Sequence, residues 1–261
     1  MLRYFLTAIL TTLLFSSSVP AAERAISSLG RLEPLNGVIR LSGPSGVGGS
    51  GSVIEKLVVN EGDWVEQDQI VAYLDSYSLR GAEVTRLEAI LDNARREMAR
   101  QQNLAKTSST SAMKLDATTM ELNIAKADLA ASKARLELSL VRAPLRAQVL
   151  EVHTRPGESV GLDGIMELAQ TDRMYAVAEV YETDIADIEV GQKAMVTGPA
   201  LQSGTSGTVE RIALKVGRMD VLGTDPIAKT DARVVEVFIL LDSGEAVAGY
   251  TNMQVEVEIE I

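Results

Sequence analysis

Val53-Ile54-Glu55-Lys56-Leu57 … Glu61-Gly62-Asp63-Trp64-Val65 … Asp68-Gln69-Ile70-Val71 returns later in the chain as Gln148-Val149-Leu150-Glu151-Val152 … Pro156-Gly157-Glu158-Ser159-Val160 … Asp163-Gly164-Ile165-Met166. A constant offset aligns Gly62 with Gly157, Val65 with Val160, Asp68 with Asp163 and Ile70 with Ile165. Val53, Leu57 and Val59 are strand formers. Glu61-Gly62-Asp63 has turn composition, with glycine free to take a positive φ. Ile70-Val71-Ala72-Tyr73-Leu74 reads as a further strand. Two half-units of short strands are therefore separated by a long insertion.

The insertion has a different period. From about Ser78, Val84, Leu87, Leu91, Ala94, Met98, Gln101 and Ala105 alternate by three and four. So do Met113, Ala117, Met120, Ile124, Ala127, Ala131, Ala134, Leu138 and Val141. Each set is a heptad seam sustained for about four repeats. Thr107-Ser108-Ser109-Thr110-Ser111 between them is a polar turn. The pattern predicts an antiparallel helical hairpin of about 30 residues and ~45 Å per helix. Pro144 is expected to end the second helix, because the residue before a proline avoids helical geometry. A unit whose halves are parted by such a hairpin suggests a connector.

Composition narrows the chemistry. The 261 residues contain no cysteine, which excludes disulfides, thiolate metal sites and cysteine nucleophiles. The single histidine, His153, leaves His-based triads and multi-His metal sites without material. The formal net charge is −11, and it is uneven. Tyr77 to Val141 holds 10 Lys/Arg and 8 Asp/Glu, a net of +2, so the remainder carries −13. Strong acidity argues against nucleic acid as a partner and against a grip on anionic lipid. At the start, Arg3 precedes an apolar run from Tyr4 to Phe15, and Ser16-Ser17-Ser18-Val19-Pro20-Ala21 follows. This pattern fits a secretory signal cleaved near Ala21 or Ala22. The run is shorter than the ~20 residues that span a bilayer, with an uncleaved anchor as the alternative.

The rest reads as β structure. Gly43 to Gly51 is glycine-rich but lacks the Gly-Lys-Ser/Thr ending of a phosphate loop, so it is taken as a junction. Met174 to Val180, Lys193 to Thr197, Gly207 to Ala213, Arg233 to Leu241 and Asn252 to Ile261 read as strands, with a helical turn at Asp184 to Ile188. They suggest a small antiparallel barrel, completed by strands from Ile26 to Leu41.

The two half-units resemble the biotinyl/lipoyl fold, with its Glu-Gly-Asp-x-Val turn. Carrier domains of that fold hold a lysine at the hairpin tip joining the halves. Here the coiled coil occupies that place, with no Met-Lys pair, so no lipoyl or biotinyl cofactor is expected. A split lipoyl fold, helical hairpin and following barrel together resemble the HlyD-like periplasmic adaptors, or membrane fusion proteins. Gly30-Arg31-Leu32-Glu33-Pro34, Val180-Tyr181-Glu182-Thr183-Asp184-Ile185 and Thr224-Asp225-Pro226 … Thr230-Asp231-Ala232-Arg233-Val234-Val235-Glu236-Val237 are similar to the DevB-type adaptors of ABC exporters. Hairpins in that group are often longer. Adaptors that engage TolC-like ducts resemble one another in an Arg-x3-Leu-x6-Ser pattern at the tip, and Arg100, Leu104 and Ser111 stand at that spacing. The bland alternative is that Arg and Ser are common on solvated helix ends.

Other conspicuous residues receive structural readings. His153 is expected to be structural or surface-exposed, without partners, and Trp64 to fill the lipoyl-like core. Met98, Met113 and Met120 are assigned to the seam rather than to metal shuttling. Asp184 and Asp187 belong to a solvated turn. The expected fold is mainly β with a long α-helical hairpin. A signal or anchor occupies 1–21, a β-barrel 22–45 plus 172–261, a lipoyl-like unit 46–76 plus 142–171, and the hairpin 77–141. Its seam is Leu87, Leu91, Met98, Met120, Ile124 and Leu138. The resemblance implies a non-catalytic periplasmic adaptor without cofactor or metal. Its partners would be an inner-membrane ABC permease, a TolC-like duct and further copies of itself in a hexameric ring. Rival readings are an adaptor of a drug or metal pump, a carrier-type enzyme subunit, or a purely structural envelope coiled coil.

Overall fold

A computed structural model describes residues 24–43, 51–219 and 232–261. The expected signal, most of the glycine-rich junction and the Thr224 to Asp231 segment lie outside them. The strands are β1 (Ala25–Leu41), β2 (Ile54–Leu57), β3 (Trp64–Val65) and β4 (Ile70–Leu74), then β5 (Leu140–Arg142), β6 (Ala147–Val152) and β7 (Met166–Tyr181). β8 (Lys193–Gly198), β9 (Leu201–Arg218), β10 (Arg233–Leu241) and β11 (Gln254–Glu260) complete them. Helices α1 (Tyr77–Lys106) and α2 (Ala112–Glu137) stand between β4 and β5.

The strand order β1-β11-β8-β9-β10-β7 closes on itself through the pairing of β1 with β7, and every pair is antiparallel. Closure leaves this barrel no free edge. Alternation fills it. In β11, Val255, Val257 and Ile259 point inward while the glutamates between them face water. Small residues set how near the walls come. A Cβ on Gly30 would sit 2.5 Å from the Val177 carbonyl oxygen, so β1 can lie on β7 only with glycine there. The strand expected around Ile26 to Leu41 is thus the barrel's closing strand. Beyond Pro34 it kinks through Asn36 and Gly37, both at positive φ, and its remainder pairs with Met166 to Gln170 beside β6.

The half-units interlock. The Gly62 N–H donates to the Val149 carbonyl at 2.8 Å, and the Val149 N–H donates back to Asp63 at 2.9 Å. In the other half the Gly157 N–H donates to Ile54 at 2.8 Å, while the Ile54 N–H donates to Glu158 at 3.0 Å. Each turn clasps a strand of the opposite repeat. The aligned glycines take φ of +89° and +90°, the same left-handed turn twice. Ile54, Val65, Val71, Leu74, Val149 and Ile165 form the core beneath. Trp64 does not join it. β3 alternates, so Val65 is buried and Trp64 is turned out, 39% exposed, with the Arg146 guanidinium 4.4 Å from its ring centre.

In the hairpin, one seam matches expectation and the other does not. Val84, Leu87 and Leu91 of α1 are buried, and Met98 is half-buried on the same line. On α2 the expected residues face away: Met120 is 59%, Ile124 52% and Leu138 46% exposed. The residues turned to α1 are Leu115, Thr118, Leu122, Ala125, Leu129, Ser132 and Leu136, with Thr118, Ala125 and Ser132 the most buried. Both sets keep the heptad spacing. The inner set alternates four leucines with three small residues, whereas the outward set spreads its bulk over Met113, Met120, Ile124 and Leu138. Thr118, Ala125 and Ser132 are short enough for close approach. The Thr118 hydroxyl donates to the Lys114 carbonyl at 2.9 Å, so it is not left unpaired. α2 also ends at Glu137, before Pro144, because Leu140–Arg142 leaves the helix to pair with β4. Val141 belongs to the lipoyl-like core rather than to a seam.

Candidate functional site

The tip is the part of the hairpin farthest from the β units. α1 closes with a two-bond cap: the Ser109 N–H donates to Leu104 at 2.9 Å and the Ser108 N–H to Ala105 at 3.1 Å. This is the Schellman arrangement. The residue that it needs in left-handed geometry is Ser108, at φ +55°, where glycine is usual. The Thr107 and Ser109 hydroxyls lie 2.9 Å apart across the turn. The Thr110 hydroxyl donates to Gln101 Oε1 at 2.8 Å, tying the loop back to α1. Ser111 is the N-cap of α2, its hydroxyl accepting from the Lys114 N–H at 3.2 Å.

Arg100 and Leu104 share one face of α1, one turn apart, and both are exposed; Leu104 is 42% exposed. Arg100 is paired with Glu97 at 2.5 Å. Hydrogen bonds from Gln101 and Arg100 hold the Glu97 carboxyl below the usual carboxylate range. Ser111 stands across the turn and shares no hydrogen bond with Arg100 or Leu104 among the described residues. The structure therefore presents an apolar Leu104, an arginine that a partner carboxylate would draw from Glu97, and a serine whose oxygen is occupied while its proton is free to donate.

Two clusters escaped sequence reasoning. Arg31 is ringed by Glu33 at 2.7 Å, Glu236 at 2.7 Å and Glu179 at 3.2 Å. Glu179 is buried in the barrel wall. Burial opposes the arginine's charge, but the hydrogen bonds to Glu236 and Glu33 outweigh it and bind its proton more tightly than usual. These residues come from three strands, so only the fold unites them. The Gly30–Pro34 and Arg233–Val237 segments meet there. The second cluster surrounds His153, whose buried Nε2 makes no hydrogen bond among the described residues. Its Nε2 is 3.6 Å from Glu167 and its Nδ1 3.8 Å from Glu151. Donor atoms of the three residues lie within 4.8 Å of one another, a spacing a cation would fit. Glu167 Oε1, however, already takes the Arg40 Nε hydrogen at 3.1 Å.

Residues 78–140 match the family model described as RND MFP, alpha-helical hairpin domain. The macrolide export protein MacA of Yersinia pestis is 30% identical over 176 residues, 55% of this chain and 47% of that protein. The multidrug resistance protein MdtA of Salmonella typhi is 28% identical over 195 residues, 69% of this chain and 46% of that protein. The chain spans about half the length of the curated relatives it matches. A crystal structure of a MacA–MexA chimera carrying the Pseudomonas aeruginosa MexA hairpin superposes with a TM-score of 0.72 at 17% identity. It covers 92% of this chain and 79% of the chimera. The structure of a membrane fusion protein from Streptococcus pneumoniae gives 0.65 at 16% identity, covering 90% of this chain and 98% of that one. Identities this low speak for the fold alone. The hairpin matches that domain over residues 78–140, and the fold as a whole is the one these solved structures share.

Proposed function

We propose that this chain is a non-catalytic periplasmic adaptor joining an inner-membrane exporter of the ABC type to a TolC-like outer-membrane duct. The observation that carries the reading is the hairpin. It consists of antiparallel helices of 30 and 26 residues, rooted in an interlocked β unit, whose sequence matches the hairpin domain of RND membrane fusion proteins. The similarity to a macrolide export protein supports an export role. The N-terminal segment would deliver the chain to the periplasm or anchor it in the inner membrane. Copies would form a ring, six by family resemblance, and the cargo of a DevB-type system would be a lipid or another small molecule. Within this reading Leu104 packs into a groove between duct helices, while Arg100 and Ser111 set register by hydrogen bonds.

The test is in-cell crosslinking from position 104 together with export assays of Arg100→Asp and Leu104→Asp. Both positions are exposed, so both variants should fold with wild-type helicity and lose export. Wild-type export by the folded double variant would sink the tip assignment. A second reading, an adaptor of an RND-type pump for drugs or metal ions, draws on the hairpin match and on the similarity to a multidrug resistance protein. Crosslinking from the barrel to the inner-membrane partner separates the two.

A further inference from the structure

Three side chains able to ligate a metal meet where the lipoyl-like unit joins the barrel. Glu151 lies in β6, His153 just beyond its end, and Glu167 near the start of β7. Their donor atoms lie within 4.8 Å of one another. Glu151 and Glu167 stand directly opposite each other in the β6–β7 register. Like charges so placed repel. Arg40, opposite Glu167 on its other side in β1, is one cation for two carboxylates. The backbone does not call for this set. The register shifts between Val149 and Glu151, and the first repeat has the same shift between Ile54 and Lys56. There Lys56 follows the shift, opposite Tyr73, and Val58 stands where the second repeat has His153.

The imidazole adds a sharper observation. Its buried Nε2 has Glu167 Oε1 3.6 Å away, too far for a hydrogen bond. A buried polar atom left unpaired is costly. Yet 3.6 Å is close to the separation of two ligands on one tetrahedral zinc ion. Bonds of ~2.1 Å to nitrogen and oxygen set neighbouring ligands about 3.4 Å apart. The Glu151 side chain is 64% exposed, and its carboxyl makes no hydrogen bond among the described residues, so it is free to turn to the third position. Arg40 is the competitor, its Nε donating to Glu167 Oε1 at 3.1 Å. Its side chain is 65% exposed, and ion pairs so exposed are weak. Beside the carboxyls opens a cleft of about 360 Å³, walled by Glu151, Glu167, Thr251 and Asn252. The Thr251 hydroxyl is also buried there without a hydrogen bond among the described residues.

We propose that Glu151, His153 Nε2 and Glu167 bind a divalent cation of the zinc class, with a water in the fourth place on the side of the cleft. One imidazole and two carboxylates suit such an ion, whereas magnesium and calcium take oxygen ligands alone. The bound ion neutralises the opposed carboxylates and gives Nε2 its partner. It also ties β6 of the lipoyl-like unit to β7, the strand that runs on to pair with β10 in the barrel. A single histidine excludes multi-histidine sites, but not one completed by carboxylates. The ion is held rather than carried, so the inference stands whichever exporter the chain serves.

His153 is the only histidine, so its imidazole is the only one in a nitrogen-15 spectrum. The full chain, made without a histidine tag and stripped with chelator, is titrated with zinc chloride by calorimetry and by that spectrum. The expected result is one ion per chain at micromolar affinity or tighter, with the Nε2 resonance moving and Nδ1 keeping its proton. Excess magnesium should not displace the zinc. His153→Gln and Glu167→Gln should each weaken binding roughly tenfold or more, and Glu151→Gln several-fold. Arg40→Gln removes the competing cation and should tighten binding several-fold, a gain that misfolding cannot imitate. The proposal is overturned by the absence of stoichiometric binding, by ligation through Nδ1, or by an Arg40→Gln chain that binds zinc more weakly. Binding unchanged in both His153→Gln and Glu167→Gln would mean an adventitious ion only, and would overturn it equally.

Discussion

The barrel and the hairpin bury their apolar residues in opposite ways. The barrel closes on itself, and Ala176, Ala178, Val196, Val237, Ile239 and Val257 have no exposed surface at all. The hairpin has only one contact between two rods. Three residues on each helix are buried, and the rest of each surface meets water. The closed unit is complete alone. The open one hides a single stripe and leaves another exposed. A fold that couples the two joins a closed unit to one with apolar surface left over.

The sharpest break between the regions should come from Arg31. Arg31→Met keeps the length of the side chain but removes the charge shared by Glu33, Glu179 and Glu236. Three carboxylates then lose the cation they share, Glu179 in the barrel wall among them. Breaking a buried pair from one side costs 3–5 kcal/mol, and partial exposure of this cluster places the effect near the lower end, about 3 kcal/mol. Denaturant unfolding followed at the barrel should show the whole loss, with hairpin helicity unchanged until the barrel melts. Equal loss in both regions would mean that the two are not energetically separate.

The next contrast lies within the hairpin. Leu91 is buried on the inner seam, 5% exposed, so Leu91→Ala should destabilise the hairpin by about 2 kcal/mol. Ile124→Ala on the outer seam of an isolated chain should stay within about 0.5 kcal/mol. Thermal unfolding of the dilute protein checks both. If Ile124→Ala costs as much as Leu91→Ala in dilute solution, the outer seam is already covered within one copy.

How much of this was legible in the sequence follows the same divide. The barrel strands, the split repeat and the hairpin were written in periods of two and seven, and the matched turns at Gly62 and Gly157 show the repeat to be real. Periodicity says that an apolar stripe exists; it does not say which of two stripes faces inward. On α2 the alanine-rich set was unbroken and therefore conspicuous, whereas the buried set mixed leucine with threonine and serine. The face that packs on α1 is that mixed set, with its short residues the most deeply buried. Trp64 was misplaced for a simpler reason, since one residue's shift in a strand exchanges inside for outside. The Arg31 and His153 clusters join strands far apart in the chain, and no local pattern announces them. At the tip, the positions of Arg100, Leu104 and Ser111 were readable, but the prior engagement of Arg100 by Glu97 and of Ser111 by Lys114 was not.

The smallest predicted effect concerns the turn itself. Ser108 holds the left-handed position of the cap although it has a Cβ, and its hydroxyl makes no hydrogen bond among the described residues. Left-handed geometry costs an L-residue roughly 1–2 kcal/mol, and glycine gives back about 0.5–1 kcal/mol through its freer unfolded chain. Ser108→Gly should therefore strengthen the tip by roughly 0.5–1 kcal/mol. The gain is local, so amide exchange at Ser109, whose N–H holds the cap to Leu104, should slow by about two- to fivefold while the barrel is unaffected. Ser108→Ala keeps the Cβ and should change nothing. If alanine and glycine act alike, Cβ strain is not what limits the turn. Under the proposed docking of the tip to a duct, a glycine that slows exchange and leaves docking intact would show that the strain serves no purpose there. Loss of the proposed docking in the more rigid variant would make the loosely held turn part of that contact.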